Sequence, residues 1–177
     1  MAYDANARPI LNLEDLDFRP WDEAYPKEMK PPQSYGARKA EVASRLGARK
    51  LGYNVIALEP GKAAYPPHNH RVTEEMFLIL EGEGELTIGR ERYPARKGDI
   101  IACPPGGPET AHQLRNTSAA EELKVLSLST TEEADVVEYP QAGNVSFGVM
   151  QPGPDGKLKL FRHILKEGDD VNYWADA

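Results

Sequence analysis

Residues 61–82 read GKAAYPPHNHRVTEEMFLILEG. Two histidines, His68 and His70, stand one residue apart, and alternate side chains of an extended chain share a face. Both imidazoles therefore point the same way, with nitrogens close enough to share one ion. Glu75 follows after the short link 71–74 and opens an apolar strand expected over 73–80, in which Glu75, Phe77 and Ile79 share one face. Glu74 falls on the opposite face as a solvated charge, and a one-residue slip in register would exchange the two carboxylates. Two imidazoles and a carboxylate on adjacent strands can meet inside a barrel. That donor set suits Mn, Fe, Co, Ni or Zn.

Outward from this stretch the chain reads as short strands closed by turns. Residues 53–58 end at Pro60 and Gly61, 73–80 at Gly82 and Gly84, and 85–88 at Gly89. Residues 92–95 end before Gly98, and 100–103 end at Pro104 and Pro105. Residues 111–116 and 123–128 complete the set. Short strands with glycine or proline punctuation at this spacing indicate an all-β barrel or sandwich, with helix confined to short pieces outside 51–128. Before this core, residues 1–48 form an N-terminal arm in which Leu11, Leu13, Leu16 and Phe18 pin a short turn or extended segment. Pro20, Pro26, Pro31 and Pro32 oppose a long helix there. Residues 37–46 have helical propensity and could equally enter the sheet. The core barrel spans 49–130. Residues 131–177 complete the same domain, with strands expected over 145–149 and 158–165 and with Tyr173 and Trp174 docked on the barrel or on a neighbouring subunit.

The chain has 177 residues, 40% hydrophobic and 28% charged, with 15 glycines and 15 prolines. That length suits one domain with short extensions. The net charge of -7 disfavours nucleic acid and anionic membranes as partners. Cys103 is the single cysteine, so no intrachain disulfide forms, which fits a reducing compartment. Its position at a strand end suits a small buried filler. No leader is expected in residues 1–20, and no apolar run approaches the ~20 residues that span a bilayer. The expectation is a cytoplasmic protein. No serine has a base and an orienting acid, which leaves triad hydrolysis unsupported. No glycine-rich loop leads into a helix, so a phosphate cradle for nucleotides is rejected.

Two segments resemble the paired motifs of the cupin superfamily. Gly61, His68, His70, Glu75 and Gly82 take the places of the first motif, with the gap from Gly61 to His68 one residue longer than is common. Gly98, Pro104, Gly106, His112 and Asn116 take those of the second, with a longer loop over 107–111 that changes the mouth of the site. The resemblance covers roughly residues 51–128. It implies a double-stranded β-helix, or jelly-roll, barrel holding one divalent metal (Mn, Fe, Ni or Zn) on His68, His70, Glu75 and His112. Phe77, Ile79 and Leu114 are expected to line the pocket. His163, the remaining histidine, falls in neither motif and reads as a surface or satisfied core residue.

The whole-chain pattern resembles bacterial single-cupin proteins. The fold hosts many chemistries, so the scaffold does not fix a reaction. A metal-dependent enzyme acting on a small organic molecule is expected, an oxidoreductase of the dioxygenase kind first and an isomerase of sugars or keto acids second. The alternatives are a small-ligand binding or sensing module and a closed structural metal site. The arm and the aromatic tail exceed what one barrel needs, which points to a homodimer.

Overall fold

The computed structural model describes residues 9–21, 30–154, 158–172 and 174. Among these, thirteen strands carry the fold. They are β1 (Arg19–Pro20), β2 (Ala37–Glu41), β3 (Leu51–Leu58), β4 (Asn69–His70), β5 (Glu75–Glu81), β6 (Glu83–Ile88) and β7 (Glu91–Arg96). Then come β8 (Ile100–Cys103), β9 (His112–Asn116), β10 (Leu123–Thr130), β11 (Ala134–Tyr139), β12 (Asn144–Pro152) and β13 (Leu158–Lys166).

One sheet has the order β1-β2-β3-β10-β5-β8, a second β13-β12-β11-β4, and a third β7-β6-β9. The second and third are joined where His68 and His112 exchange backbone hydrogen bonds of 3.2 and 2.8 Å. They therefore act as one layer facing the first, which is the expected jelly-roll sandwich. Alternation builds the core between them. In β10, Leu123 and Val125 are buried while Lys124 points out to Glu81, 2.7 Å away. Ile79, Leu123 and Val125 pack with Ile56, Leu58 and Leu86 at the centre. Burying a side chain of this size contributes about 2 kcal/mol. Gly82 makes the β5–β6 turn with φ +81, and a Cβ there would stand 2.5 Å from the Glu122 carbonyl. Both the left-handed backbone and the close approach demand glycine.

The strands expected between residues 51 and 128 are present, each shifted by no more than two residues at its ends. Helix is not wholly absent from that segment, because a three-residue 3-10 turn, Pro108–Thr110, sits in the long loop of the second motif. Residues 37–41, ambiguous in sequence, enter the sheet as β2 beside β3. The extended stretch that carries His68 and His70 appears as the two-residue β4, whereas β1 and β11 were not anticipated as strands. In the arm, a 3-10 turn over Leu13–Asp15 is capped by the Asn12 side chain, and Phe18 lies beneath the Arg38 guanidinium. Pro26 and Tyr173 lie outside the described residues. Trp174 is 74% exposed, so its indole is not buried against its own barrel.

Candidate metal centre

Register places the site residues before any chemistry is considered. Across the first sheet, Glu75 of β5 pairs with Ser129 of β10, and Phe77 pairs with Ser127, which pairs in turn with Asn54 of β3. Directly opposed residues share a face, so these side chains all line the inner wall. From the other layer, β4 brings His70, and the bridge to His112 brings His68. The loop after β8 is stitched to β4. Gly106 N–H donates to the His70 carbonyl (2.8 Å), and the Asn69 amide donates to the Gly106 carbonyl (2.9 Å) and to Glu138 (2.8 Å). Asn69 therefore holds the outside of the strand whose two histidines face in.

The ligand atoms of His68, His70 and Glu75 lie within 4.8 Å of one another. Glu75 Oε2 is 3.9 Å from His68 Nε2, 3.5 Å from His70 Nε2 and 3.0 Å from His112 Nε2. The structure thus groups three of the four expected ligands directly and adds His112 through its hydrogen bond to the carboxylate. Glu74 is exposed and takes no part. His163 lies on β13 between the rings of Phe147 and Phe161.

Every imidazole is oriented through its far nitrogen. His68 Nδ1 donates to the Pro66 carbonyl (2.8 Å) and His70 Nδ1 to Asp135 Oδ2 (2.6 Å). These bonds fix the tautomer that leaves each Nε2 lone pair facing the site. His112 differs. Its Nδ1 donates to the Thr110 carbonyl (3.3 Å), presented by the 3-10 turn, and its Nε2 donates to Glu75. Both nitrogens face acceptors, which makes this ring an imidazolium. Burial alone would lower its pKa, but hydrogen bonds and charge from Cys103 and Glu75 outweigh that and raise it to about 10. Burial and the charge of His112 push His68 down to about 4, so it stays neutral. Burial would raise the Glu75 carboxyl, yet the His112 hydrogen bond and the surrounding imidazoles hold it below its usual range. Cys103 is buried at 2% exposure, as its position at a strand end suggested, and pairs in register with Glu75.

Asp135 is the site residue that the sequence did not reveal. It lies in β11, beyond both motifs, and its Oδ1 accepts from Val72 N–H (3.1 Å) and Val136 N–H (2.8 Å). Burial would raise its pKa, but the hydrogen bonds from His70, Thr73 and Val72 lower it. Two imidazoles and a carboxylate, with outer partners fixing the tautomers, form a donor set that fits one divalent transition-metal ion.

The residues open onto a cavity of about 620 Å³ whose lining includes Tyr65, Phe77, Tyr139, Ser127 and Ser129. Of the expected lining residues, Phe77 is in place. Leu114 lines a small recess behind His112. Ile79, at 1% exposure, belongs to the core and not to the cavity wall: it follows Phe77 on the same face but pairs with the buried Val125, further along the strand from the site.

Residues 54–129 match the family model described as a cupin domain. An uncharacterized protein of Methanocaldococcus jannaschii is 35% identical over 75 residues, which are 40% of this chain and 57% of that protein. Quercetin 2,3-dioxygenase of Bacillus subtilis is 39% identical over 71 residues, 37% of this chain and 21% of the enzyme. The chain thus spans little over half of the first relative and about a fifth of the second. Among solved structures, a sugar phosphate isomerase of the cupin superfamily from Silicibacter pomeroyi superposes with a TM-score of 0.69 at 23% identity. That likeness covers 93% of this chain and 98% of the other, and it establishes the fold.

Proposed function

We propose that this chain, whose residues 54–129 form a cupin domain, is a metal-dependent enzyme acting on a small organic molecule, with dioxygenase-like chemistry. The observation that carries the reading is the convergence of His68, His70 and Glu75 at the wall of a cavity large enough for such a molecule. His68, His70 and Glu75 would hold the ion, with His112 as fourth ligand. A bound ion would supply Lewis acidity or a redox couple. The chain's own residues do the rest. Glu75 offers negative charge against the cation, and His68 and His70 turn their Nε2 atoms toward it. Phe77 and Tyr65 give the reacting region apolar walls. His112 holds a proton at Nε2 within 3.0 Å of Glu75.

Sequence similarity to a quercetin dioxygenase over the motif-bearing segment supports oxygen chemistry. The hydroxyls of Ser127 and Ser129 on the same wall favour a second reading, an isomerase of sugars or keto acids, because they suit a hydroxylated substrate. Oxygen uptake separates the two. Protein loaded with iron or manganese and offered flavonols such as quercetin is expected to consume O₂, and the His70→Ala variant is not. Metal-loaded protein that consumes no O₂ with flavonols or related enediols, yet interconverts aldose and ketose phosphates, would overturn the oxygenase reading.

A further inference from the structure

We propose that the cavity takes a small organic anion, whose charged group is held by Lys39 and Arg162 while its body lies along the aromatic wall toward Glu75. This rests on the reading of the cavity as the substrate site, and it names the substrate class.

The chain carries a net charge of -7, yet the cavity has the opposite balance. Lys30, Lys39 and Arg162 line it, and Glu75 is the single carboxylate among the described lining residues. Glu75 is already engaged by the histidines. An acidic protein that gathers cations around one cavity focuses a positive potential there and selects anions. The placement of these cations follows from register. Lys39 of β2 pairs with Ile56 of β3, which pairs with Val125, so it stands on the inner face of the first sheet. Its Nζ lies 2.7 Å from Glu41, but Glu41 is 57% exposed and does not line the cavity. Arg162 of β13 pairs with Gly148, and Gly148 pairs with Asp135. Arg162 therefore shares a face with the aspartate that orients His70, and the residue between them has no side chain. Among the described residues Arg162 has no ion pair.

Lys39 and Arg162 lie outside residues 54–129, the segment that supplies the candidate ligands. The flanks thus add charge selection to a metal site built by the motif-bearing core. Tyr65, Phe77 and Tyr139 line the space between and suit an unsaturated or aromatic body. The anionic group is a carboxylate or a phosphate ester; a guanidinium and an ammonium accept either.

Titration of benzoate, phenyl phosphate and the uncharged benzamide into wild type, Arg162→Gln, Lys39→Gln and Arg162→Lys, each with and without manganese, tests this. Both anions are expected to bind wild type more tightly than benzamide. Each glutamine variant should lose roughly tenfold in anion affinity while benzamide is unmoved, and Arg162→Lys should keep most of the affinity. The tighter anion identifies the group, phosphate or carboxylate. Because the loss is read without metal as well, an anion held by the ion alone cannot mimic it. Wild type that binds no metal but keeps the anion preference would remove the proposed function and leave this inference standing. Wild type that binds metal while anion affinity is unchanged in both glutamine variants, or falls equally for benzamide, would overturn the inference and leave the metal site. Failure of wild type to bind either anion would overturn it also.

Discussion

His68 and His112 are neighbours, with ring centroids 4.8 Å apart, yet they carry opposite protonation. The difference lies in what their Nε2 atoms meet. His68 donates from Nδ1 and leaves Nε2 open, whereas His112 meets an acceptor at both nitrogens. A metal binds only a deprotonated imidazole nitrogen, so His112 must release a proton to become a ligand. With a pKa raised to about 10, it is protonated at neutral pH, and metal affinity should rise with pH, by about tenfold per unit between pH 7.0 and 8.5. His68, at about 4, is already neutral throughout and adds no slope there. Competition titrations with zinc across that range measure the slope, and a flat response would contradict His112 as a proton-releasing ligand. The identity of these residues was legible because their chemistry is local: a two-residue spacing puts two imidazoles on one face whatever the rest of the chain does. Their protonation was not legible, since it depends on Thr110, Cys103 and Pro66, which approach through turns and register.

Strands supply what single residues cannot. The apolar runs between turns marked most of the central strands, because each must bury one face and stop at a glycine or proline. β11 escaped notice because Thr131 to Asp135 is polar, and its partners β4 and β12 lie far away or later in the chain. A strand whose reward is long-range pairing leaves little local trace. It matters because it delivers Asp135. In Asp135→Asn, Oδ1 still accepts from Val72 and Val136, so the loop stays anchored, but the charged acceptor for His70 Nδ1–H is gone. Loss of such an outer partner typically costs 10–100-fold in metal affinity. The variant should melt at nearly the wild-type temperature without metal and bind zinc about 10–100-fold more weakly. Unchanged affinity would show that Asp135 is not part of the centre.

At the scale of the whole molecule, the β11–β13 sheet has two unlike faces. The inner one carries Asp135, Tyr139 and Arg162. The outer one carries Phe147, Val149, Phe161 and Leu165, at 39%, 43%, 45% and 46% exposure, with His163 packed between the phenyl rings. Paired register puts these side chains on one surface, and an exposed apolar face of this kind marks an association surface. Among the described residues no helix is long and apolar enough to cross a membrane. A second copy is the occupant expected from the sequence, so sedimentation at micromolar concentration should show a dimer, and Phe161→Glu should shift it to monomer. Wild type that sediments only as a monomer would contradict this.

The proposed function rests on one ion held by His68, His70, Glu75 and His112, and elemental analysis of purified protein tests for that ion most directly. Wild type, as isolated or after soaking with manganese, iron, nickel and zinc followed by desalting, should carry about one ion per chain. His70→Ala, with the sheet packing intact and its circular dichroism unchanged, should carry almost none. Equal occupancy in both, or no metal in wild type after every soak, would contradict the central claim.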